Sequence, residues 1–213
     1  MRRHLAPLVC AVVAGLAAPV DAAPGPPAPA SALPAEGFKL LGEEKGVRIH
    51  RREQRPGIEL AGEGEIPGSS DRARRVLLDY GKHPSWNKHL KESRVLAKGD
   101  GWLDVYQRLD LPVLDDRDYT LHVVWGAEGD VLWMRFETAN ERGPAPVRGV
   151  VRITAHSGSW RFDRAPGGKA TRAVYRFHMD LAGSFPSFLG KGQAQSDVAN
   201  LFVEVGKQLP RYP

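Results

Sequence analysis

The chain has 213 residues, of which 42% are hydrophobic, and a formal net charge of +5. This length is enough for one domain with a sizeable core. Its single cysteine excludes a disulfide framework. Because its basic residues are interleaved with acidic ones and form no dense block, we expect no nucleic-acid partner.

The first 22 residues have the layout of a secretory signal peptide. A basic start at residues 1–4 precedes an apolar run at 5–20, and the small residues before position 23 suit cleavage after Ala22. The apolar run is short for a membrane-spanning helix, and retention as an anchor is the alternative. We therefore expect an exported protein, periplasmic or secreted, that has lost Cys10.

A segment rich in proline and alanine, residues 23–36, follows the predicted signal peptide. It is almost free of charge and of core-forming side chains. Such a composition predicts an extended, unfolded linker. The folded domain is then predicted to occupy residues 37–213.

Hydrophobic patterns predict the elements of this domain in chain order. Strands at 47–53 and 58–66 flank a Pro-Gly turn, and an N-cap cluster at 69–71 precedes a helix at 72–80. Further strands are predicted at 92–98, 102–109, 118–125, 131–138, 147–155, 159–163 and 171–181, and helical spacing covers 186–209. The predicted fold class is α+β, with a curved antiparallel sheet around the long C-terminal helix.

One predicted strand places a positive charge among apolar residues. By alternation, Arg117 shares a strand face with Tyr119, Leu121, Val123 and Trp125, so this face is buried and Arg117 points inward. A buried guanidinium is costly unless it has a partner. Arg117 is therefore either the polar anchor of a cavity or one half of a structural ion pair. The candidate partners for such a pair are Asp104, Asp110 and Glu137.

Alternation along the other strands extends this inward face. The predicted ligand-binding residues are Leu103, Val105, Gln107, Arg117, Tyr119, Leu121, Val123, Met134, Phe136, Ile153, Tyr175, Phe177, Phe188 and Phe202. Most are apolar, as a lipid cavity requires, and Arg117 suits a phosphate or carboxylate head. A solid core made of the same residues is the alternative.

Short motifs along the chain carry a family resemblance. They are Tyr80-Gly81-Lys82-His83-Pro84-Ser85-Trp86-Asn87, Glu92-Ser93-Arg94-Val95-Leu96, Tyr106-Gln107-Arg108-Leu109, Asp116-Arg117-Asp118-Tyr119 and Gly158-Ser159-Trp160. Their order and spacing resemble the START family of lipid-transfer domains, within the SRPBCC-like superfamily. The resemblance covers about residues 37–209.

The START resemblance implies a helix-grip fold with a lipid-sized tunnel between the sheet and the C-terminal helix. It implies binding and transfer of a lipid or other hydrophobic small molecule, with no covalent step, cofactor or metal. Arg117 matches the family's motif arginine. Sterol-binding members have a second cavity arginine where this chain offers Val123 and Trp125, so a sterol is not implied. A cyclase or aromatase enzyme on the same fold is the alternative function.

Lipid exchange requires an opening in the fold. The predicted lids are the loop at 146–149 and the glycine-containing stretch at 183–192. Phe185 and Phe188 beside Lys191 are predicted to touch a membrane surface transiently. His83 and His89 could ligate a metal, but no carboxylate cluster completes a site, so we expect no bound metal. We also expect the protein to be a monomer.

Overall fold

The computed structural model of the protein describes residues 24–54, 57–111, 114–164, 169–180 and 193–213. The predicted signal peptide, the predicted lid at 183–192 and Phe188 lie outside these residues. Within them, no helix is long and apolar enough to cross a membrane.

Strands dominate the described residues. The strands are β1 (Lys39–Glu44), β2 (Val47–Glu53), β3 (Ile58–Pro67), β4 (Leu90–Gly99), β5 (Trp102–Leu109), β6 (Arg117–Glu128), β7 (Val131–Thr138), β8 (Val151–Arg152), β9 (Ala155–Arg164) and β10 (Ala170–Asp180). The α-helices are α1 (Ser70–Leu78) and α2 (Gln193–Gln208). The predicted N-cap forms at Ser69, whose Oγ accepts the Arg72 N–H at 3.4 Å.

The strands that the structure describes form one sheet in the order β1-β2-β3-β10-β9-β7-β6-β5-β4, with β8 beside the start of β6. Neighbours along this path pair antiparallel, whereas β8 pairs parallel to β6. The sheet is strongly curved and not closed, as in the helix-grip fold. The predicted fold class is confirmed.

The face of the sheet that meets α2, called here the inner face, carries the main hydrophobic core. Val198 and Phe202 of α2 pack directly over Gly62 of β3, where an added Cβ would lie only 2.6 Å from Val198 Cγ1. A glycine at this position therefore lets the helix approach the sheet closely. The buried side of α1 joins the same core.

Several segments differ from the sequence prediction. The predicted strand at 147–155 is reduced to β8, because residues 147–150 form a turn in which Gly149 adopts a φ of +79°. The sequence pattern does not predict β1, whose residues are almost all exposed at the sheet edge. An exposed edge strand has no buried face, so it leaves no alternation in the sequence.

The prediction of an unfolded linker is wrong for residues 24–36. They lie against the opposite, outer face of the sheet, and Leu33 is fully buried beside Phe38 and Ala61. Four arginine side chains donate to backbone carbonyls of this segment: Arg135 to Gly25 at 3.0 Å, Arg161 to Pro27 at 3.0 Å, Arg176 to Ala28 at 3.2 Å and Arg52 to Glu36 at 2.9 Å. The proline-rich backbone is thus fixed through its carbonyl oxygens, which remain available where proline has no N–H.

Candidate functional site

One end of the inner face is less covered than the rest. Along β10, Ala173 is buried, whereas Tyr175, Phe177 and Met179 are only partly buried. Met179 pairs with His156 on β9, and the pairing continues through the end of β7 to the first half of β6. We call this region the open end: the start of β6, the end of β7, the start of β9 and the end of β10.

The structure brings the predicted ligand-binding residues together on the inner face. Those that are at most 7% exposed are Leu103, Val105, Gln107, Arg117, Tyr119, Leu121, Val123, Met134, Phe136, Ile153 and Phe202. Tyr175 and Phe177 are partly buried at the open end, and Phe188 lies outside the described residues. Their shared location is observed, and their role in binding stays a prediction.

Arg117, the first residue of β6, is only 3% exposed and has no carboxylate partner among the described residues. Its Nη1 donates to the backbone carbonyl of Asp115, and its Nε is buried without a hydrogen-bond partner. It forms no ion pair with Asp104, Asp110 or Glu137, so the structural ion pair considered above is wrong. A guanidinium held in this way keeps donors for an anionic group.

Asp118, the residue after Arg117, points to the outer face, and both of its carboxylate oxygens accept hydrogen bonds. Asp118 is 0% exposed and accepts hydrogen bonds from Tyr106 Oη at 3.1 Å and from Arg152 Nε at 2.6 Å and Nη2 at 3.1 Å. Arg152 also donates to the carbonyl of Pro144 at 3.2 Å. This network holds the segment on both sides of the predicted lid at 146–149 and is a structural site.

A short chain of uncharged hydrogen bonds lies among the apolar residues of the inner face. Tyr119 Oη donates to Gln107 Oε1 at 3.0 Å, and Gln107 Nε2 donates to Ser93 Oγ at 3.0 Å. Burial raises the pKa of Tyr119, and burial together with the Tyr119 and Tyr80 hydroxyls raises the pKa of Tyr175. These hydroxyls therefore stay protonated and serve as hydrogen-bonding groups.

His156 is a residue of this region that the sequence pattern does not reveal. The centroid of its ring lies 5.0 Å from that of Tyr119 and 5.2 Å from that of Phe136. Burial lowers the pKa of His156 to about 4, so the imidazole is neutral at neutral pH. The predicted strand begins at Ser159. Carrying the alternation of Trp160 and Gly158 back by two residues would have pointed His156 inward.

His83, considered above as a metal ligand, is a buried packing residue. Its ring lies 4.6 Å from Tyr80 and 4.7 Å from Trp86, centroid to centroid. Burial lowers the pKa of His83 to about 4. Among the described residues, no group of three or more His, Cys, Asp or Glu side chains is placed to hold a metal ion.

Two surface grooves are formed by other residues. One, of about 550 Å³, lies on the outer face beside Trp102, Trp133 and Arg142, and another, of about 480 Å³, lies beside Leu41 of β1. Neither contains a predicted ligand-binding residue. The candidate site is the open end of the inner face, which contains the partly buried Tyr175 and Phe177 and, at the start of β6, the unmatched Arg117.

A family model described as polyketide cyclase/dehydrase and lipid transport matches residues 66–202 of the chain. The chain belongs to this family. The match runs from the end of β3 into α2 and so contains every strand from β4 onward. Together with the solved structures below, it confirms the START-like character that the sequence motifs indicated.

Solved structures share this fold at low sequence identity. Human StAR-related lipid transfer protein 5 has a TM-score of 0.74 and 18% identity, covering 83% of this chain and 88% of that chain. The STAR-related lipid transfer protein of Xanthomonas axonopodis has a TM-score of 0.67 and 24% identity, covering 83% and 98%. The Zhui aromatase/cyclase of Streptomyces sp. R1128 has a TM-score of 0.51 and 16% identity, covering 72% and 93%. A search of curated proteins found no match.

Proposed function

We propose that the protein binds and transfers a lipid or other hydrophobic small molecule at the open end of the inner face, without covalent chemistry. The inner face supplies the apolar surface that such a ligand needs, at roughly 0.8 kcal/mol for each methylene removed from water. The family description, which includes lipid transport, supports this proposal.

The burial of Arg117 without a carboxylate partner among the described residues is the main support for this proposal. A core needs no cation, and a buried cation without a carboxylate is unfavourable for folding. A guanidinium at this position, with an unpartnered Nε, is explained if an anionic head group completes its hydrogen bonds when ligand is bound. We therefore propose a ligand with a carboxylate or phosphate head.

Native mass spectrometry of the purified protein, with extraction of bound lipid, tests this proposal first. We expect a stoichiometric amphiphile. The second measurement compares binding of stearate and of the neutral lipid monoolein by wild type and Arg117→Leu. Loss of the charge is expected to weaken stearate binding by about tenfold or more and monoolein binding by much less.

Arg172→Leu is the matched control, because Arg172 is exposed on β10. It should leave both affinities unchanged. Equal losses for stearate and monoolein in Arg117→Leu would assign Arg117 a structural role. An empty protein that takes up neither lipid would overturn lipid binding itself.

A cyclase or dehydrase acting on a hydrophobic substrate is the second candidate function. It is favoured by the neutral imidazole of His156 on the inner face, which has the acceptor needed of a general base, and by the family description. Incubation with a poly-β-keto thioester analogue, followed by mass spectrometry, tests it. Loss of water that depends on His156 would favour the enzyme, and unchanged substrate would favour the carrier.

We also propose that the protein is exported after cleavage behind Ala22 and acts as a monomer that contacts membrane surfaces transiently. The layout of residues 1–22 supports export. The intact mass of the protein from its own cell envelope would establish the cleavage position. A mass that includes residues 1–22 would mean that the segment is retained.

A further inference from the structure

The hydrogen-bonding state of His156 is determined by its backbone partner. His156 Nδ1 lies 3.1 Å from the carbonyl oxygen of His178 on β10. A carbonyl oxygen can only accept, so Nδ1 must carry the proton. The neutral ring then presents an unprotonated Nε2, which is a hydrogen-bond acceptor and not a donor.

The position of this acceptor is within the candidate site. His156 is only 6% exposed, and its ring contacts Tyr119 and Phe136, both predicted ligand-binding residues. Two residues further along β9, Gly158 leaves room for Phe136 on the same face, because a Cβ there would lie 2.4 Å from Phe136 Cζ. His156 and Phe136 therefore share the inner face at the open end.

Among the described residues, nothing donates a hydrogen bond to His156 Nε2. The hydroxyl of Tyr119, whose ring packs against His156, already donates its proton to Gln107 Oε1. Gln107 in turn donates to Ser93 Oγ, so this chain of bonds runs away from the imidazole. A group from outside the protein chain can supply a donor for His156 Nε2.

We propose that His156 Nε2 accepts a hydrogen bond from a hydroxyl group of the bound ligand. The inference rests on the proposed function and narrows its ligand to an amphiphile that carries both an anionic head and a hydroxyl. Arg117 binds the anion through donors, and His156 binds the hydroxyl through an acceptor. Neither residue can replace the other, because a guanidinium has no acceptor and this imidazole presents no free donor. A ketone or ether at the same position of the ligand has no donor and therefore forms no hydrogen bond with His156 Nε2.

Matched fatty acids test this assignment on the full mature protein after delipidation. The probes are stearate, 3-hydroxystearate, 12-hydroxystearate and 12-oxostearate, with affinities measured by calorimetry. We expect wild type to bind at least one hydroxy acid about tenfold more tightly than stearate. The oxo acid should bind like stearate, because it offers no donor.

The variant His156→Phe removes the acceptor and keeps a ring between Tyr119 and Phe136. It should abolish the preference for the hydroxyl and leave stearate binding within about twofold of wild type. His156→Gln covers the case in which the phenylalanine variant folds poorly, because its amide can donate to His178 and accept from a ligand; part of the preference should remain.

His50→Phe is the matched control. His50 is also buried, but it lies on the outer face opposite Ala61 and bonds to Glu63 at 3.0 Å. It should keep the hydroxyl preference of wild type. Equal binding of hydroxylated and plain stearate by wild type, or a preference that survives His156→Phe, would overturn the inference. Failure of wild type to bind any of the four acids would overturn the proposed function as well.

Discussion

Arg117 and Asp118 are consecutive residues of β6, and their side chains lie on opposite faces of the sheet. Both are almost completely buried. Asp118 accepts from a bidentate arginine and a tyrosine hydroxyl, whereas Arg117 bonds to a single backbone carbonyl among the described residues, which offer its Nε no partner. Burial alone therefore does not distinguish a structural charge from a functional one. These two charges differ instead in the hydrogen-bond partners that the described part of the chain supplies.

His122 on the outer face and His156 on the inner face also differ in their hydrogen-bond partners. On the outer face, His122 Nδ1 lies 2.7 Å from Asp104 Oδ1, and Arg142 reaches the same carboxylate at 3.3 Å. On the inner face, His156 has one backbone partner and a second nitrogen without any among the described residues.

Partner supply does not divide by face as a whole, because Thr120 Oγ1 and Arg176 Nε on the outer face are also buried without a partner in the described part of the chain. The contrast is between Asp118 and His122, which have charged partners, and Arg117 and His156, whose side chains have only backbone partners among the described residues. The following predictions test that contrast.

Removal of the Asp118 charge should have the largest effect on stability. Asp118→Asn leaves the Arg152 guanidinium, which is mostly buried, without its carboxylate. Loss of one partner from a buried pair costs about 3–5 kcal/mol of the free energy of unfolding. Chemical denaturation measures this loss. The control Asp163→Asn removes a pair whose carboxylate is one-third exposed, at Arg161, and should cost less than about 1 kcal/mol.

Acid should destabilise the protein through its neutral buried histidines. His83 and His156 have pKa values of about 4 when folded, compared with about 6.5 when unfolded. Between these values the unfolded chain binds more protons, so stability falls as pH drops from about 6.5 to 4 and is unaffected above that window. The expected loss is on the order of 3 kcal/mol for each histidine.

Denaturation at a series of pH values measures this loss. His156→Phe should remove about half of the slope between pH 6.5 and 4, and the double variant with His83→Phe should remove most of it. Carboxylates that also titrate in acid are present in all three proteins, so the difference between proteins isolates the histidines. An unchanged slope in the double variant would contradict the prediction.

A methyl group at Gly158 should disturb the inner face by steric overlap. A Cβ at this position would lie 2.3 Å from the Arg176 carbonyl oxygen and 2.4 Å from Phe136 Cζ. Because backbone cannot move aside cheaply, we expect Gly158→Ala to cost about 1–3 kcal/mol. Gly42→Ala on the exposed edge strand β1 has nothing within 4 Å of its new methyl group and should change the unfolding free energy little.

Arg117→Leu should change the free energy of unfolding less than Asp118→Asn or Gly158→Ala, and it should raise that free energy, whereas those two variants lower it. Replacing a buried, unmatched cation by an apolar side chain is expected to raise the unfolding free energy of the ligand-free protein by about 1 kcal/mol. Thermal denaturation of delipidated protein measures this change. A clear loss of stability would mean that Arg117 has a structural role after all, and the contrast with Asp118 would fail.

Much of the fold could be predicted from local patterns. Strands β5 and β7 coincide with their predicted bounds, and period-two alternation placed Arg117 and Tyr119 on the inner face. Alternation works here because a strand with one buried face must repeat its polarity every second residue. It fails at β1, which has no buried face. It also fails at residues 24–36, because Arg135 and Arg161, which hold this segment, are more than 100 positions away in the chain.

By itself, the amino-acid sequence determined which residues face inward, where α1 begins and which family the motifs indicate, since each of these depends on neighbours in the chain. Only the tertiary structure decided which buried polar groups are matched. Arg152 reaches Asp118 from 34 positions away, and the His178 carbonyl selects the tautomer of His156 from the adjacent strand. Hydrogen-bond completion is a property of three-dimensional neighbours, so only the tertiary structure shows that the Asp118 carboxylate is matched and that Arg117 has no carboxylate partner among the described residues.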